Sequence, residues 1–565
     1  MRKSIISFVA AVVFLWVVPG YAQVSLNAPP EDRVYQAIDI FIANDLVHDV
    51  IMGQRPFSRM EVARILRKSR ESLSQWKIPN DSASAARIGR WMSKRNYIGR
   101  LLTYYEREYA VELEGMKGGV RFDLLKRMDQ ALIYNSSVPR TIPVSNGQGG
   151  IDGIITSFDR YDQGLTYPDG ALAYISTQHD LYLTRYVAVT AQPRFEFATQ
   201  MDGNSKPLAH IHRLYMKAGW RNIELEVGRD NLLWGQAEYG GLFASANPRP
   251  LDMIKLSNPY PFRFPWVFKY LGHNKFTFFV SNLGPERFRS YAYLYGLKWS
   301  LRPSRYFEIG FTHTVMMGGN GAPGVKWWEP IAELMPFHKW GGANIGATDI
   351  ANNAFGFFEF RVTIPQWRGV SLYYEAYIED SIVRVIRLPS NILNQLAFCT
   401  GLYLPRITDS GSTGLRLEYH HMAPLAYRHS SWQSGYTLNR RPIGDPLGPT
   451  ADGIYAMLYW RPRPRLSARA SFAYEDFDSS IYMTEPNASG GGGDRILKSI
   501  TGPHEYRYRT EAGVSWRSKK RYELNVSAGY EHIRNWDFDV GRSVNNVFLR
   551  GMLTLYFDEF TFSTR

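Results

Sequence analysis

Two stretches hold the residue types best suited to chemistry. The first runs Gly228-Arg229-Asp230-Asn231-Leu232-Leu233-Trp234-Gly235-Gln236 and continues through Gly240-Gly241-Leu242-Phe243 to Asn247-Pro248-Arg249-Pro250. Indole faces stack on sugar rings, and Arg, Asp and Asn side chains bond paired hydroxyls. Arg229, Asp230, Trp234, Asn247 and Arg249 are therefore candidate polysaccharide-binding residues. The same composition also suits a structural loop folded inside the molecule. The second stretch, Met317 to Ala351, brings Lys326, Trp327, Trp328 and Trp340. Exposed aromatics in a long loop suggest a surface with a partner; the competing reading places these indoles at a lipid interface.

Catalysis and metal binding find no comparable support. The sequence has no Gly-x-Ser-x-Gly elbow and no phosphate loop ending in Gly-Lys-Ser/Thr. His420 and His421 are adjacent, so on a strand they point to opposite faces and cannot chelate one ion. His210 and His212 share a face without a third ligand. Cys399 has no evident His partner and reads as a small wall residue. Gly490 to Gly493 reads as a flexible loop tip. No catalytic residue, metal ligand or cofactor is expected.

The elements that must position these residues change period once. From Glu31 to about Leu113 the pattern is helical. Val34, Ile38, Phe41 and Ile42 fall on one face. Ser58 and Glu61 have capping-box spacing ahead of Val62, Ile65 and Leu66, with Arg67, Lys68 and Arg70 near that helix's end. A third helix reads from about Ser82, with Trp91, Ile98, Leu102, Tyr105, Tyr109 and Leu113 on its apolar side and Gly115 as its stop. This predicts a small three-helix bundle. After about Gly118 the period becomes two. Ile223, Leu225 and Val227 alternate with Glu224 and Glu226; Phe358, Phe360, Val362 and Ile364 alternate with Glu359, Arg361 and Thr363. Short turns (Arg302 to Arg305, Pro365 to Gly369, Arg461 to Arg465, Arg517 to Lys520) alternate with long segments (Met317 to Ala351, Ser381 to Asn394, Met422 to Ala451, Asp476 to Pro503). A soluble sandwich has no reason to sort its loops so; a membrane barrel with short periplasmic turns and long external loops does.

On that rule the strands fall near 119–134, 170–178, 180–200, 208–219, 222–230, 264–272, 275–283, 290–301, 305–316, 352–364, 369–380, 395–404, 412–421, 452–461, 465–476, 504–516, 520–532 and 546–557. The fold class is thus an all-β membrane barrel of about 18 antiparallel strands with an N-terminal three-helix bundle, an even count that sends both barrel ends to the periplasm. Inward positions carry both signs (Glu308, Glu359, Arg361, Glu375, Arg416, Glu418, Arg469, Arg507, Arg509, Glu511, Glu523 and Arg550), so pairing across the lumen wall is expected. The segment from Asn231 to Phe262 and the loop from Met317 to Ala351 belong on the external side by strand parity.

The start and composition agree. Arg2 and Lys3 precede an apolar run from Ile5 to Val18, then Gly20-Tyr21-Ala22, which reads as a secretory signal peptide cut after Ala22. The run is short of the roughly 20 residues a spanning helix needs. The expected division is therefore a signal peptide over 1–22, a periplasmic helical bundle over 23–117 and an outer-membrane barrel over 118–565. One cysteine in an exported chain leaves no internal disulfide. Aromatics make up 15%, which suits both interfacial girdles and sugar-binding surfaces. A net charge of +14 suits nucleic acid, lipopolysaccharide phosphates or an acidic polysaccharide; for an exported chain with no zinc-finger spacing and no basic recognition helix, nucleic acid is the weakest of these and is not an expected partner.

At these residues the chain resembles the Wzi-type capsule assembly family of outer-membrane proteins. The resemblance begins in the helical segment Tyr35 to Leu66, where Arg55-Pro56-Phe57-Ser58-Arg59 precedes Glu61. It is sharpest from Gly228 to Gly321: the Gly-Arg-Asp-x-x-x-Trp-Gly run, Asn247-Pro248-Arg249-Pro250, Leu271-Gly272 before Phe276 to Asn282, and Ile309 to Gly321 ending in Gly318-Gly319-Asn320-Gly321. It departs where Gln236 and Ala237 follow Gly235 in place of Pro-Gly, and where the chain runs past Phe557 to Arg565. The resemblance implies an eighteen-stranded barrel with a helical bundle at its periplasmic mouth and a lectin-like role in holding capsular polysaccharide. The expected partners are capsular or extracellular polysaccharide, outer-membrane lipid and lipopolysaccharide. A channel for small solutes or sugars and an outer-membrane enzyme on lipid or glycan are the competing functions.

Overall fold

Alternation of apolar and polar residues over 10 to 15 positions leaves a strand with one oily and one wet face, and a closed barrel satisfies every backbone group of such strands without an edge. The computed structural model describes residues 23–77, 85–115, 119–143, 150–200, 206–238, 240–334, 352–379, 396–429, 431–485, 495–519, 521–557 and 560–563. The expected signal peptide, Trp340 and the Gly490–Gly493 loop tip lie outside them. The barrel strands are β1 Arg121–Asn135, β2 Gly170–Thr184, β3 Val187–Gln200, β4 Lys206–Trp220, β5 Ile223–Asp230, β6 Leu251–Ser257, β7 His273–Asn282, β8 Tyr293–Arg302, β9 Phe307–Met317, β10 Asn352–Ile364, β11 Val370–Glu379, β12 Leu396–Leu404, β13 Thr413–Met422, β14 Ala451–Arg463, β15 Leu466–Asp478, β16 His504–Arg517, β17 Tyr522–Arg534 and β18 Ser543–Tyr556. Phe262–Arg263 extends β6 and Thr561–Ser563 extends β18. Each strand pairs antiparallel with its neighbour, and β18 closes on β1 in the register Arg127↔Tyr556 to Asn135↔Phe548.

One expected strand is misplaced. The 264–272 segment is not a strand: Trp266–Leu271 forms a 3-10 turn after Pro265, because its apolar residues run without alternation and Pro cannot donate to a ladder. The sixth strand is Leu251–Ser257, whose burial alternates; the count of eighteen is unchanged. The boundary expected near Gln178 also shifts, since β2 runs on to Thr184 and turns at Arg185-Tyr186.

The outer face carries a belt of rings. Phe276, Trp299, Phe311, Phe358, Phe360, Tyr374, Phe398 and Tyr419 form an unbroken series from β7 to β13, with successive centroids 5.5 to 6.0 Å apart. Cross-strand aromatic pairs stabilise the sheet, and an apolar outward face suits lipid.

Helices precede the barrel: α1 Val34–Ala43, α2 Arg59–Ser74, α3 Ala85–Glu108 and the short α4 Ala110–Glu114. Ser58 caps α2, its hydroxyl accepting from Glu61 N at 3.2 Å, as the capping-box spacing requires. That helix runs on to Ser74, past the expected basic end, while the expected third helix breaks at Tyr109. Val34, Ile38, Phe41, Val62, Ile65, Ile98, Leu102, Tyr105 and Tyr109 share one buried cluster. The helices sit at the short-turn end of the barrel: Arg305 pairs with Asp45 at 2.9 Å, Arg406 donates to Asn44 at 2.7 Å, and Arg517 pairs with Glu108 at 2.7 Å.

Candidate functional site

Four segments return into the lumen. From the helical end, residues 44–58 reach up; from the other end, the described residues of the connections after β1, β5 and β13 (136–143 and 150–169; 231–238 and 240–250; 423–429 and 431–450) fold down. The first of these meets the 231–250 connection at a two-residue ladder in which Gln54–Arg55 pairs with Leu233–Trp234. Carboxylates on inward strand positions hold the junction. Glu308 accepts from Met52 N at 3.1 Å and Gly53 N at 2.8 Å. Glu375 accepts from the backbone of Gln236 (2.6 Å), Ala237 (2.9 Å) and Leu242 (3.1 Å). The Gln236 amide links the two strands by donating to Glu308 at 2.9 Å. Charged acceptors of backbone N–H groups in a dry interior are strong, so the wall fixes the plug. Two glycines allow the approach: a Cβ on Gly241 would sit 1.7 Å from Glu375 Oε2, and one on Gly53 would sit 2.0 Å from Glu359 Oε1.

The plug segments also bind one another. Ser245 Oγ donates to Gly444 O at 2.6 Å, Asn247 Nδ2 donates to Pro442 O at 2.9 Å, and Arg441 pairs with Asp159 at 2.6 Å. A single apolar cluster joins Ile142, Trp234, Phe243, Phe279, Tyr377, Trp432 and Tyr436. The expected lumen charges do pair, in part across neighbouring strands (Arg469–Glu511, 3.1 Å; Arg509–Glu531, 3.3 Å) and in part with α1 (Arg361–Asp39, 2.7 Å) or an inserted segment (Arg550–Asp162, 3.3 Å). The second kind could not be read from strand parity.

Cys399 differs from expectation in having a histidine partner. Its Sγ lies 3.3 Å from His420 Nε2, and His420 Nδ1 meets Asp445. The order resembles nucleophile, base and orienting acid, yet all three residues are buried, and the contact joins β13 to the 423–450 segment. His421 points to the outer face and bonds Asp452 at 2.8 Å, as alternation demands.

The candidate sugar-binding residues separate into three places. Asp230, Trp234 and Asn247 are inside. Asp230 accepts from Asn27 Nδ2 at 2.7 Å. Trp234 is 1% exposed, stacked on Phe243 at 4.9 Å and in a T-shaped contact with Phe279 at 5.3 Å, so the indole is enclosed. Arg229 and Arg249 lie on the outer flank near the external ends of β5 and β6, both paired with Asp252 at 2.7 and 2.9 Å. Lys326, Trp327 and Trp328 form the third place. Trp327 is 78% exposed, Trp328 is half-buried with Lys326 Nζ 5.9 Å from its ring, and Glu329 accepts from Lys326 N at 2.8 Å. A short helix, α5 Glu329–Leu334, follows. Leu334 packs with Val315, Met317, Ala354 and Tyr295, all outward-facing. Residues 318–334 therefore fold over the rim and down the lipid-side flank, a path that loop length alone does not show.

Beside it stand residues that the sequence reading missed. Phe288 (62% exposed), Arg289 and Tyr291 occupy the 283–292 connection between β7 and β8. Expected strand 290–301 had absorbed Tyr291. Arg289 Nε donates to Ser431 O at 2.8 Å, Phe288 N donates to Ser434 Oγ at 2.7 Å, and Asn320 N donates to Ser290 O at 2.8 Å. Three connections are thereby knitted into one rim that presents exposed rings and two cations. No cluster of metal-ligating side chains occurs among the described residues.

The family model for the capsule assembly protein Wzi matches residues 156–547. Among solved structures, the fold is similar to that of Wzi from Escherichia coli, described as an outer membrane protein involved in group 1 capsule assembly and a carbohydrate-binding β-barrel. The TM-score is 0.60 at 15% identity, over 95% of this chain and 100% of that one. OccD3 (OpdP) of Pseudomonas aeruginosa superposes with a TM-score of 0.41 at 8% identity, over 78% of this chain and 92% of that one. OprD of the same organism gives 0.38 at 8%, over 80% and 96%. No curated protein matches in sequence.

Proposed function

Since this chain belongs to the Wzi family of capsule assembly proteins, we propose that it is a lectin-like outer-membrane barrel that binds capsular or exopolysaccharide and helps assemble or anchor it at the cell surface. It does so without catalysis. The observation that carries this reading is the rim itself: Phe288, Tyr291, Trp327, Arg289 and Lys326 gathered on interlocked loops above a lumen occupied by hydrogen-bonded segments. Rings supply stacking faces and cations attract an acidic polymer. Rigid loops limit the entropy lost on binding. The helical segment within 23–117 stands at the periplasmic mouth of the barrel over 118–565. The outer-flank arginines Arg229 and Arg249 face the outer leaflet, where lipopolysaccharide phosphates are the matching partner.

The test is polysaccharide retention by cells carrying Trp327→Ala with Trp328→Ala, and separately Phe288→Ala. Each is expected to lower retention several-fold while the unboiled barrel still migrates faster than the boiled one. Raised salt should weaken retention further, since exposed charge attraction is screened. Unchanged retention in both variants refutes the rim. The channel reading makes the opposite forecast of steady conductance in a planar bilayer, which a lumen locked through Glu308 and Glu375 does not permit.

A further inference from the structure

The lumen is not filled evenly. Around β14–β18 and β1–β3 its periplasmic half encloses a cavity of about 850 Å³. Its existence follows from side-chain size. The inward positions of β15, β16 and β17 that line it include Ser467, Ser471, Gly513, Ser515, Asn525 and Ser527, all too small to fill a barrel of this width. Above, it is closed by the 136–169 segment, where Phe158 stacks on Phe548 at 5.0 Å and Arg160 pairs with Glu475. Below, it reaches Arg33, Gln36, Tyr105 and Glu108 of the helical segment and the rim residues Gly411 and Ser412. It is therefore a vestibule on the periplasmic side, separate from the outer rim.

Its chemistry is specific. Tyr455, Tyr459 and Tyr556 supply ring faces and small hydroxyl side chains supply adaptable hydrogen-bond groups, the combination that suits a sugar. The volume is that of an ordinary ligand pocket, roughly 300–1,000 Å³. The lining also has an excess of donors. Among the described residues, Nε and Nη1 of Arg461 and Nε of Arg194 are buried without a hydrogen-bond partner, as is Nη2 of Arg160, whose ion-pair partner Glu475 at the roof keeps one unpartnered oxygen of its own. All three side chains are at least nine-tenths buried. Leaving such donors unmatched is costly, and an acceptor-rich group answers them.

We propose that this vestibule binds a short acidic oligosaccharide, its carboxylates facing Arg461 and Arg160 and its rings lying along Tyr455 and Tyr459. The protein would then engage glycan at two places, one on each side of the membrane. The site stands on its own lining and does not depend on the outer rim.

The test uses the full-length protein in detergent with Ser471→Cys as a reporter. The native thiol, Cys399, is fully buried, so maleimide reads position 471. Tetragalacturonate should slow labelling about five-fold at saturation, while neutral maltotetraose should not. Arg461→Gln should raise the concentration for half-protection about ten-fold, the size of one charge-assisted contact. Because Arg461 also bonds Gln36, Ser527→Trp provides a second variant: it fills the cavity from the wall and should abolish protection while the heat-dependent gel shift remains. Trp327→Ala should lose polymer retention with protection intact. No protection, equal protection by maltotetraose, or protection that survives both vestibule variants overturns the proposal. Loss of retention in Trp327→Ala with no vestibule protection leaves the outer rim standing alone.

Discussion

The two halves of the lumen are built on the same alternating strands and end differently. Around β9–β13, inward positions carry Glu308, Glu359, Glu375, Arg416 and Glu418, and segments returning from both mouths lock onto them. Around β15–β17, inward charges such as Arg469 with Glu511 and Arg509 with Glu531 pair along the wall, serine, glycine and asparagine stand between them, and a cavity remains. Period two builds the wall in both cases. What occupies the enclosed space depends on the size and charge of inward residues and on whether a long connection carries backbone donors to meet them. A buried carboxylate is costly unless satisfied: around β9–β13 backbone donors of the inserted segments satisfy Glu308 and Glu375, whereas around β15–β17 arginines of the wall satisfy the carboxylates and the space beside them can stay open.

The sharpest way to break that contrast is to remove the lock. Glu375→Ala deletes the acceptor of three backbone N–H groups and strands them in a dry interior. The expected loss is on the order of 3–5 kcal/mol, read as a lower thermal midpoint, together with intermittent conductance in planar bilayers where the unaltered protein is expected to give none. A variant as stable and as silent as the parent would mean that the plug is held elsewhere.

A pair of substitutions then compares the halves directly. Gly241→Ala places a methyl group 1.7 Å from Glu375 Oε2 and should cost roughly 2–3 kcal/mol, because both atoms are fixed by backbone contacts. Ser471→Leu adds more volume on the hollow side and should cost under about 1 kcal/mol, since the cavity accepts it. Equal losses in thermal midpoint would show that the two halves are packed alike.

Much of this was legible because it rests on local period. Alternation and loop sorting led to eighteen strands, and capping spacing located Ser58. The strand taken at 264–272 failed because Trp266-Val267-Phe268 is apolar without alternating, and the modest Asp252 to Ser257 run was overlooked beside it. The site was less legible for a physical reason. Trp234 and Trp327 are alike in a sequence, yet one is enclosed inside against Phe243 and Phe279 and the other stands at the rim. Which of these a tryptophan adopts depends on contacts with chain more than a hundred residues away in several cases, such as Gln236 with Glu375. Cys399 meets His420 for the same reason: register between β12 and β13 aligns them, and spacing along the chain does not.

The smallest expected effect lies where the helical segment faces the hollow half. Asp32 accepts from Val34 N at 2.9 Å and from Tyr109 Oη at 3.1 Å. Burial and the nearby Glu108 raise its carboxyl to about 6. An unfolded aspartate titrates near about 3.9. Below about pH 4 the group is protonated whether or not the helices are docked, so it costs nothing. As pH rises from about 4 through 6 the folded state resists ionisation, and the penalty grows; above 6 it is constant. Asp32→Asn removes this penalty while an amide oxygen can still accept from Val34 and Tyr109. The variant should therefore resist proteolysis of α3 more strongly than the parent at pH 7, by about 1 kcal/mol after allowing for the residue's partial exposure, and should match it at pH 4. Glu108 is also the partner of Arg517 on β16, so relieving Asp32 should leave that ion pair to hold the helices against the hollow wall. A gain of equal size at both pH values would assign the effect to packing and remove the titration from the account.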